Sequence, residues 1–259
     1  MGKFLSLAFI GYFLSACGSE TRTPKIEKYG LIANIPEASG ICYSQKRDSI
    51  FVVSDKGVIV ELDTNGVVKR DKSLNSLSKH DFEGVACDDA KNSLLIAVEG
   101  ADNILRVDQE NLNVQKDINI ERGDILQKDK EFGLEGIALL NGKVFLSNQS
   151  FTLYNQGDDP SVVFTIDSLT SAKPNIDKIY DHGFTDISGL SFYQGFLYMV
   201  SDSANMLIKY DVEKEETVFT KQLPKFSIEG IAFDTRNNIF FADDDNGRIY
   251  KYETKQYGI

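Results

Sequence analysis

Ser227-Ile228-Glu229-Gly230-Ile231-Ala232-Phe233 is one of five statements of a single motif in this 259-residue chain. The others are Glu37-Ala38-Ser39-Gly40-Ile41-Cys42-Tyr43, Asp81-Phe82-Glu83-Gly84-Val85-Ala86-Cys87, Gly133-Leu134-Glu135-Gly136-Ile137-Ala138-Leu139 and Asp186-Ile187-Ser188-Gly189-Leu190-Ser191-Phe192. The motif glycines Gly40, Gly84, Gly136, Gly189 and Gly230 lie 44, 52, 53 and 41 residues apart. A period of roughly 40–50 residues suits propeller blades of four strands. Each motif is followed by a second apolar run closing on a polar residue, as in Phe51-Val52-Val53-Ser54-Asp55 and Tyr198-Met199-Val200-Ser201-Asp202. A third run usually follows, such as Val58-Ile59-Val60-Glu61-Leu62-Asp63. Short runs rich in Val, Ile, Phe and Tyr, bounded by Asp, Asn and Gly, are strands joined by turns.

The ends of the repeat array predict how it closes. The fifth repeat runs out after its third strand, near Tyr252, whereas a spare strand over residues 26–35 precedes the first repeat. That spare strand ends Ile35-Pro36, as the fourth strand of repeat four ends Leu223-Pro224. The expected architecture is therefore all-β. It is a single β-propeller over residues 26–259, with five four-stranded blades (six being the alternative), closed by the N-terminal strand. Closure removes two free edges that would otherwise template aggregation. Residues 119–132 and 149–160 lengthen the third repeat; long loops on a rigid scaffold carry function or are merely tolerated insertions.

Residues 1–16 read as a secretory signal rather than as part of the fold. Lys3 is followed by an apolar run over residues 4–13 and by Leu14-Ser15-Ala16-Cys17. The run is shorter than the roughly 20 residues a bilayer span needs. Leu-Ser-Ala-Cys resembles the bacterial lipobox position by position, which implies cleavage before Cys17 and its lipidation, with residues 17–25 as a tether. The expected location is the bacterial cell envelope, at the outer membrane or periplasmic face, with the membrane engaged through Cys17. The net charge of −11 argues against a nucleic-acid partner, which needs a basic face. A monomer with an unidentified protein or small-molecule ligand is expected. Cys42 and Cys87 stand two and three residues after their glycines. Side chains alternate along strands, so they are read as pointing to opposite sides of neighbouring blades, two buried thiols rather than a bridge.

The residue before each glycine is Ser39, Glu83, Glu135, Ser188 or Glu229. Inner strands line a propeller's channel, so these five residues form a ring and Glu83, Glu135 and Glu229 converge on its axis. Close carboxylates cannot all ionise without a partner, and Ca²⁺ takes six to eight oxygen ligands flexibly. Hydrogen bonding to neighbouring backbone or channel water, and direct acid–base catalysis, are the competing roles. Asp55, Glu99, Asn148, Asp202 and Asp243 close the second strands and form a second set, mostly turn residues. Asp243-Asp244-Asp245-Asn246-Gly247 lacks the Glu a calcium loop requires. His80 and His182 are read as solvated loop residues, too few for zinc. No Gly-x-Ser-x-Gly elbow or Walker loop is present.

The succession Ser39-Gly40, Glu83-Gly84, Glu135-Gly136, Ser188-Gly189 and Glu229-Gly230, each joined to a strand of the Val-Val-Ser-Asp kind, resembles the SdiA-regulated family over roughly residues 26–255. The resemblance implies a β-propeller of the cell envelope, associated with calcium in some members, and supplies no activity. The chain departs from it in lacking Trp and in its extended third repeat. Two functions compete. One is a non-enzymatic envelope binding protein with an axial Ca²⁺ site. The other is a calcium-dependent hydrolase of the lactonase or phytase kind, with Glu135, Asn148, Asp202 and Glu229 imitating the axial ligand set of such enzymes. The metal-ligand set expected from sequence is Glu83, Glu135, Glu229, Asn148 and Asp202.

Overall fold

The computed structural model describes residues 30–74, 81–100, 102–123 and 133–259. The signal, Cys17, the tether and His80 lie outside the described residues. The chain enters as β1 (Leu31–Asn34) and then builds blade 1 from β2 (Ala38–Ser44), β3 (Ser49–Ser54), β4 (Val58–Asp63) and β5 (Val68–Ser73). Blade 2 comprises β6 (Asp81–Asp88), β7 (Ser93–Glu99), β8 (Asn103–Asp108) and β9 (Val114–Asn119). Blade 3 comprises β10 (Leu134–Leu140), β11 (Lys143–Asn148), β12 (Val162–Ile166) and β13 (Ile176–Tyr180). Blade 4 comprises β14 (Ile187–Tyr193), β15 (Phe196–Ser201), β16 (Met206–Asp211) and β17 (Glu216–Gln222). Blade 5 takes β18 (Ile228–Phe233), β19 (Asn238–Asp243) and β20 (Arg248–Glu253), and its fourth strand is β1. The five-bladed count and the closure by the N-terminal strand follow the repeat reading.

The inner strands β2, β6, β10, β14 and β18 neighbour one another in that order, and β18 returns to β2. The core consists of five apolar seams, one between each pair of adjacent blades. Each motif glycine sits where its inner strand slips register against the second strand, between Ala38 and Gly40, for example, and between Ile228 and Gly230. Such a bulge bends the strand and re-aims a side chain. The glycine is also demanded by contact across the seam. A Cβ on Gly84 would lie 2.3 Å from the Glu135 carbonyl oxygen, and one on Gly40 at 2.3 Å from that of Glu83.

The two cysteines correct the sequence reading. Cys42 and Cys87 form a disulfide, with Cα atoms 5.8 Å apart. The alternation was read rightly but its consequence inverted. In a ring of stacked blades, a residue on the forward face of one blade meets the backward face of the next. Opposite faces of neighbouring blades are therefore the faces that touch. Cys42 lies in the seam between blades 1 and 2 with Val85, and Cys87 packs against the same seam.

Candidate functional site

The mouth of the channel is the end at which the five inner strands begin. The bulges turn Ser39, Glu83, Glu135, Ser188 and Glu229 to a common place there. The serines tie backbone: Ser188 Oγ donates to the Ile228 carbonyl at 2.8 Å. The three glutamates bring charge together. Glu83 and Glu135 are only 9% and 5% exposed. Burial first, and the neighbouring carboxylates second, push both well above the ordinary carboxyl range. Glu135 feels Glu83, Glu229, Glu99 and Asp186 in turn. Glu229 is raised to about 9 by burial and by Asp244, Asp202, Asp55 and Asp186. None of the main influences on these three is a cation.

The tightest cluster includes only one of the axial glutamates. Asp81 and Glu99 are cross-strand partners on β6 and β7. Glu83 stands two residues on from Asp81. Ligand oxygens of Asp81, Glu83 and Glu99 all lie within 4.8 Å of one another, the group of this kind among the described residues. Burial and Asp81 raise Glu99 to about 7, although the Arg122 charge opposes the shift. Asp202 is raised to about 6 by burial and by Asp186. Asp55 rises to about 6 through burial and Glu37. Asp186 itself is buried, accepts from the Ser203 amide at 2.7 Å, and leaves Oδ1 without a partner.

Asn148 is held elsewhere. Backbone bonds place Gln149 opposite Gly133, Asp202 opposite Asp186 and Asp244 opposite Ser227. Gln149 and Asp244, rather than Asn148 and Asp243, thus stand level with Glu99 and Asp202. The Asn148 side chain is fully buried: its oxygen accepts from Arg122 Nη2 at 2.8 Å, and its nitrogen donates to Asp159 at 3.0 Å and to the Pro160 carbonyl at 2.9 Å. Arg122 Nε lies 3.2 Å from Asp102. Asp243 caps its own turn by accepting from the Asn246 side-chain Nδ2 at 3.1 Å, as the turn reading expects. His182 is a correction: it is buried, not solvated, with Nδ1 accepting from the Phe184 amide at 3.2 Å, and burial lowers it to about 4.

Both long insertions of repeat three leave from this same end, one between β9 and β10 and one between β11 and β12. The far end of the channel carries mostly apolar side chains. There Val85, Ile137, Leu190, Phe192, Phe233 and the disulfide line a cavity of about 140 Å³.

A family model described as SdiA-regulated matches residues 23–253. The chain belongs to the SdiA-regulated family. No curated protein matches the sequence. Among solved structures, this SdiA-regulated propeller is similar to the glutaminyl cyclase of Myxococcus xanthus, at TM-score 0.57 and 13% identity over 86% of this chain and 92% of that one. It is also similar to a streptogramin B lyase, at TM-score 0.49 and 13% identity over 88% and 72% of the two chains. At such identities the likeness to the cyclase is one of fold. The sequence reading of the SdiA-regulated chain puts Glu83, Glu135 and Glu229 in one ring; in the structure Glu83 and Glu229 both act on Glu135, and Glu229 on Glu83. That reading missed Asp81, Asp186 and Arg122. The first two were legible in principle, because residues two apart on a strand share a face; nothing in the sequence marks Arg122.

Proposed function

We propose that this propeller is an envelope-anchored, non-enzymatic binding protein whose acidic mouth holds a divalent cation, Ca²⁺ by the chemistry of its donors. The carrying observation is the Asp81–Glu83–Glu99 group, with oxygens within 4.8 Å. It offers hard oxygen donors at a place where Glu135 and Glu229 hold two further carboxyls, which a bound cation would favour in the ionised form. Oxygen-rich, flexible coordination suits Ca²⁺. Asn148 fits a ligand role poorly, since its oxygen already accepts from Arg122; Asp202 belongs to the outer part of the same acidic field. The Cys42–Cys87 bridge supports an oxidising compartment, where disulfides persist, and the lipobox at Cys17 supports attachment.

Thermal unfolding with Ca²⁺ and with chelator tests this reading. A ligand at a hundredfold excess over Kd stabilises the fold by about 2.7 kcal/mol, which for a domain of this size is a shift of about 5–10 °C. Glu83→Gln should lose most of that shift, and Glu135→Gln a smaller part. Equal shifts in wild type and Glu83→Gln would place the ion elsewhere; no shift in either leaves the ring a structural feature.

The hydrolase reading draws on one observation: Glu99, held at about 7, has the affinity of a general base at neutral pH. Calcium-dependent turnover of a lactone or phosphate ester, lost in Glu99→Gln, would replace the binding reading with it.

A further inference from the structure

We propose that the lower outer rim of blade 1 rests on an anionic phospholipid surface, so that the acidic mouth faces away from the membrane. Tethering to that surface rests on the reading of Cys17 as the lipid anchor; the contact itself does not.

The argument begins with β1. Its last residue, Asn34, pairs with Arg248, and Arg248 pairs with Asp243 at the mouth end of blade 5. Its first residue, Leu31, pairs with Tyr250, and Gly30 packs on the Tyr252 ring. The described chain therefore begins on the side opposite the mouth. Residues 17–29 reach at most about 45 Å when extended, so an anchor at Cys17 would keep the domain within that distance of the bilayer, and the rim contact is what sets which face meets it.

The side chains at that point are unusual for this molecule. The exposed large apolar residues among those described are Leu31, Val67, Val68, Phe151 and Val218. Leu31, Val67 and Val68 gather here. Gly66 packs against the Ile32 carbonyl, which sets the turn carrying Val67 beside β1. Val67 and Val68 are 62% and 51% exposed.

Cations follow directly along the rim. Lys46, Arg47, Lys69 and Arg70 line a cleft of about 520 Å³ between blades 1 and 2, with Glu61 and Glu110. Glu61 is consumed internally, accepting from Arg47 Nε at 3.0 Å and Arg70 Nε at 2.6 Å. Glu110 pairs with Arg47 at 2.7 Å. Asp63 also stands in the Val67 turn, accepting from the Val67 amide at 2.9 Å, so the four cations face three acids, on a chain whose net charge is −11. Apolar tips flanked by Lys and Arg are the composition of an interfacial contact, in which the tips enter the headgroup boundary and the cations meet lipid phosphate.

Two arms test the inference. In the first, the full lipidated chain is placed in vesicles of 30% phosphatidylglycerol in phosphatidylcholine, and amide exchange is compared with that in detergent. Residues 64–72 should exchange several-fold more slowly on vesicles, while the corresponding turn of blade 4, residues 212–216, is unchanged. The double variant V67D/V68D should still float with the vesicles but lose the protection. In the second arm the Cys17→Ser chain is sedimented with vesicles of 50% phosphatidylglycerol at low ionic strength. Its bound fraction should fall several-fold in V67D/V68D and on raising the salt. A lipidated chain that fails to float refutes the anchor. Unchanged exchange at 64–72 on vesicles, or equal sedimentation of the Cys17→Ser chain with and without V67D/V68D, overturns the membrane contact whatever holds for Cys17, and leaves the rim to a protein partner.

Discussion

Glu83, Glu135, Glu229 and Glu99 sit where the fold holds their protons more tightly than the unfolded chain does. Glu229 is raised from 4.5 to about 9 and Glu99 from 4.5 to about 7. A raised carboxyl contributes stability that is complete below its unfolded pKa and is lost as pH rises through the folded value. Without a cation, Tm should therefore fall between pH 5 and pH 9. The surface acid Asp48, lowered to about 2 by Arg236, acts with the opposite sign, but its stabilisation disappears only in stronger acid, outside that window. His182, lowered from 6.5 to about 4 by burial, also opposes the fall, but only below about pH 6.5 and as one group against four. Glu229→Gln removes one of the ionisations and should flatten the fall. A cation prefers the ionised form, so the calcium shift should be small at pH 5 and large at pH 8. Thermal unfolding in chelator from pH 5 to 9 measures the first effect; a wild-type Tm that rises across the window contradicts it. The motif position made three of these acids legible in the sequence. The Asp81–Glu99 meeting was not, because it depends on the pairing register of β6 and β7. The parity of Asn148 was misread for the same reason: a one-residue offset in where a strand ends moves a side chain to the other face.

In four of the five blades the inner three strands are apolar enough to declare themselves, β3 being buried at every residue. The outer strands are not: β5 reads Val-Lys-Arg-Asp-Lys-Ser and is mostly exposed. A strand with one neighbour and solvent beyond it needs no alternation of apolar residues, which is why most fourth strands left no sequence signal. In blade 3 the third strand, β12, was also hidden, because residues 149–160 separate it from β11. The disulfide ties two inner strands across a sequence separation of 45 residues. By the chain-entropy model, closing a loop of that size stabilises the fold by up to about 4 kcal/mol, or roughly 10 °C for a domain of this size. Replacing both cysteines by alanine should lower Tm by an amount of that order. A reductant should do the same to wild type and nothing further to the double variant. An unchanged Tm on reduction would show that the seam between blades 1 and 2 is held by its apolar contacts alone.

A ring made of a linear chain must close somewhere, and this one closes between its own ends. β1 is contributed by the N-terminal side and β18, β19 and β20 by the C-terminal side, so blade 5 exists only when both are present. The closure is more than an edge pairing. Ile35 lies in the seam between blades 5 and 1 with Ile41, Val52 and Phe240. Its amide donates to the Gly247 carbonyl at 2.8 Å. Removing the strand would leave β20 an unpaired edge and uncover that seam at once, and in a ring each blade has two neighbours whose packing depends on it. Deleting residues 24–36 is therefore expected to destabilise the whole domain, not to fray one blade. Tm should fall by at least about 10 °C, since loss of a buried Ile alone costs about 2–5 kcal/mol, and the exposed β20 should increase self-association. The Ile35→Ala variant keeps the strand and removes only its buried anchor, so it should show an intermediate loss. Calorimetry of the three proteins separates the contributions. A deletion that melts with the intact chain would mean that the five inner strands hold the ring without the closing one.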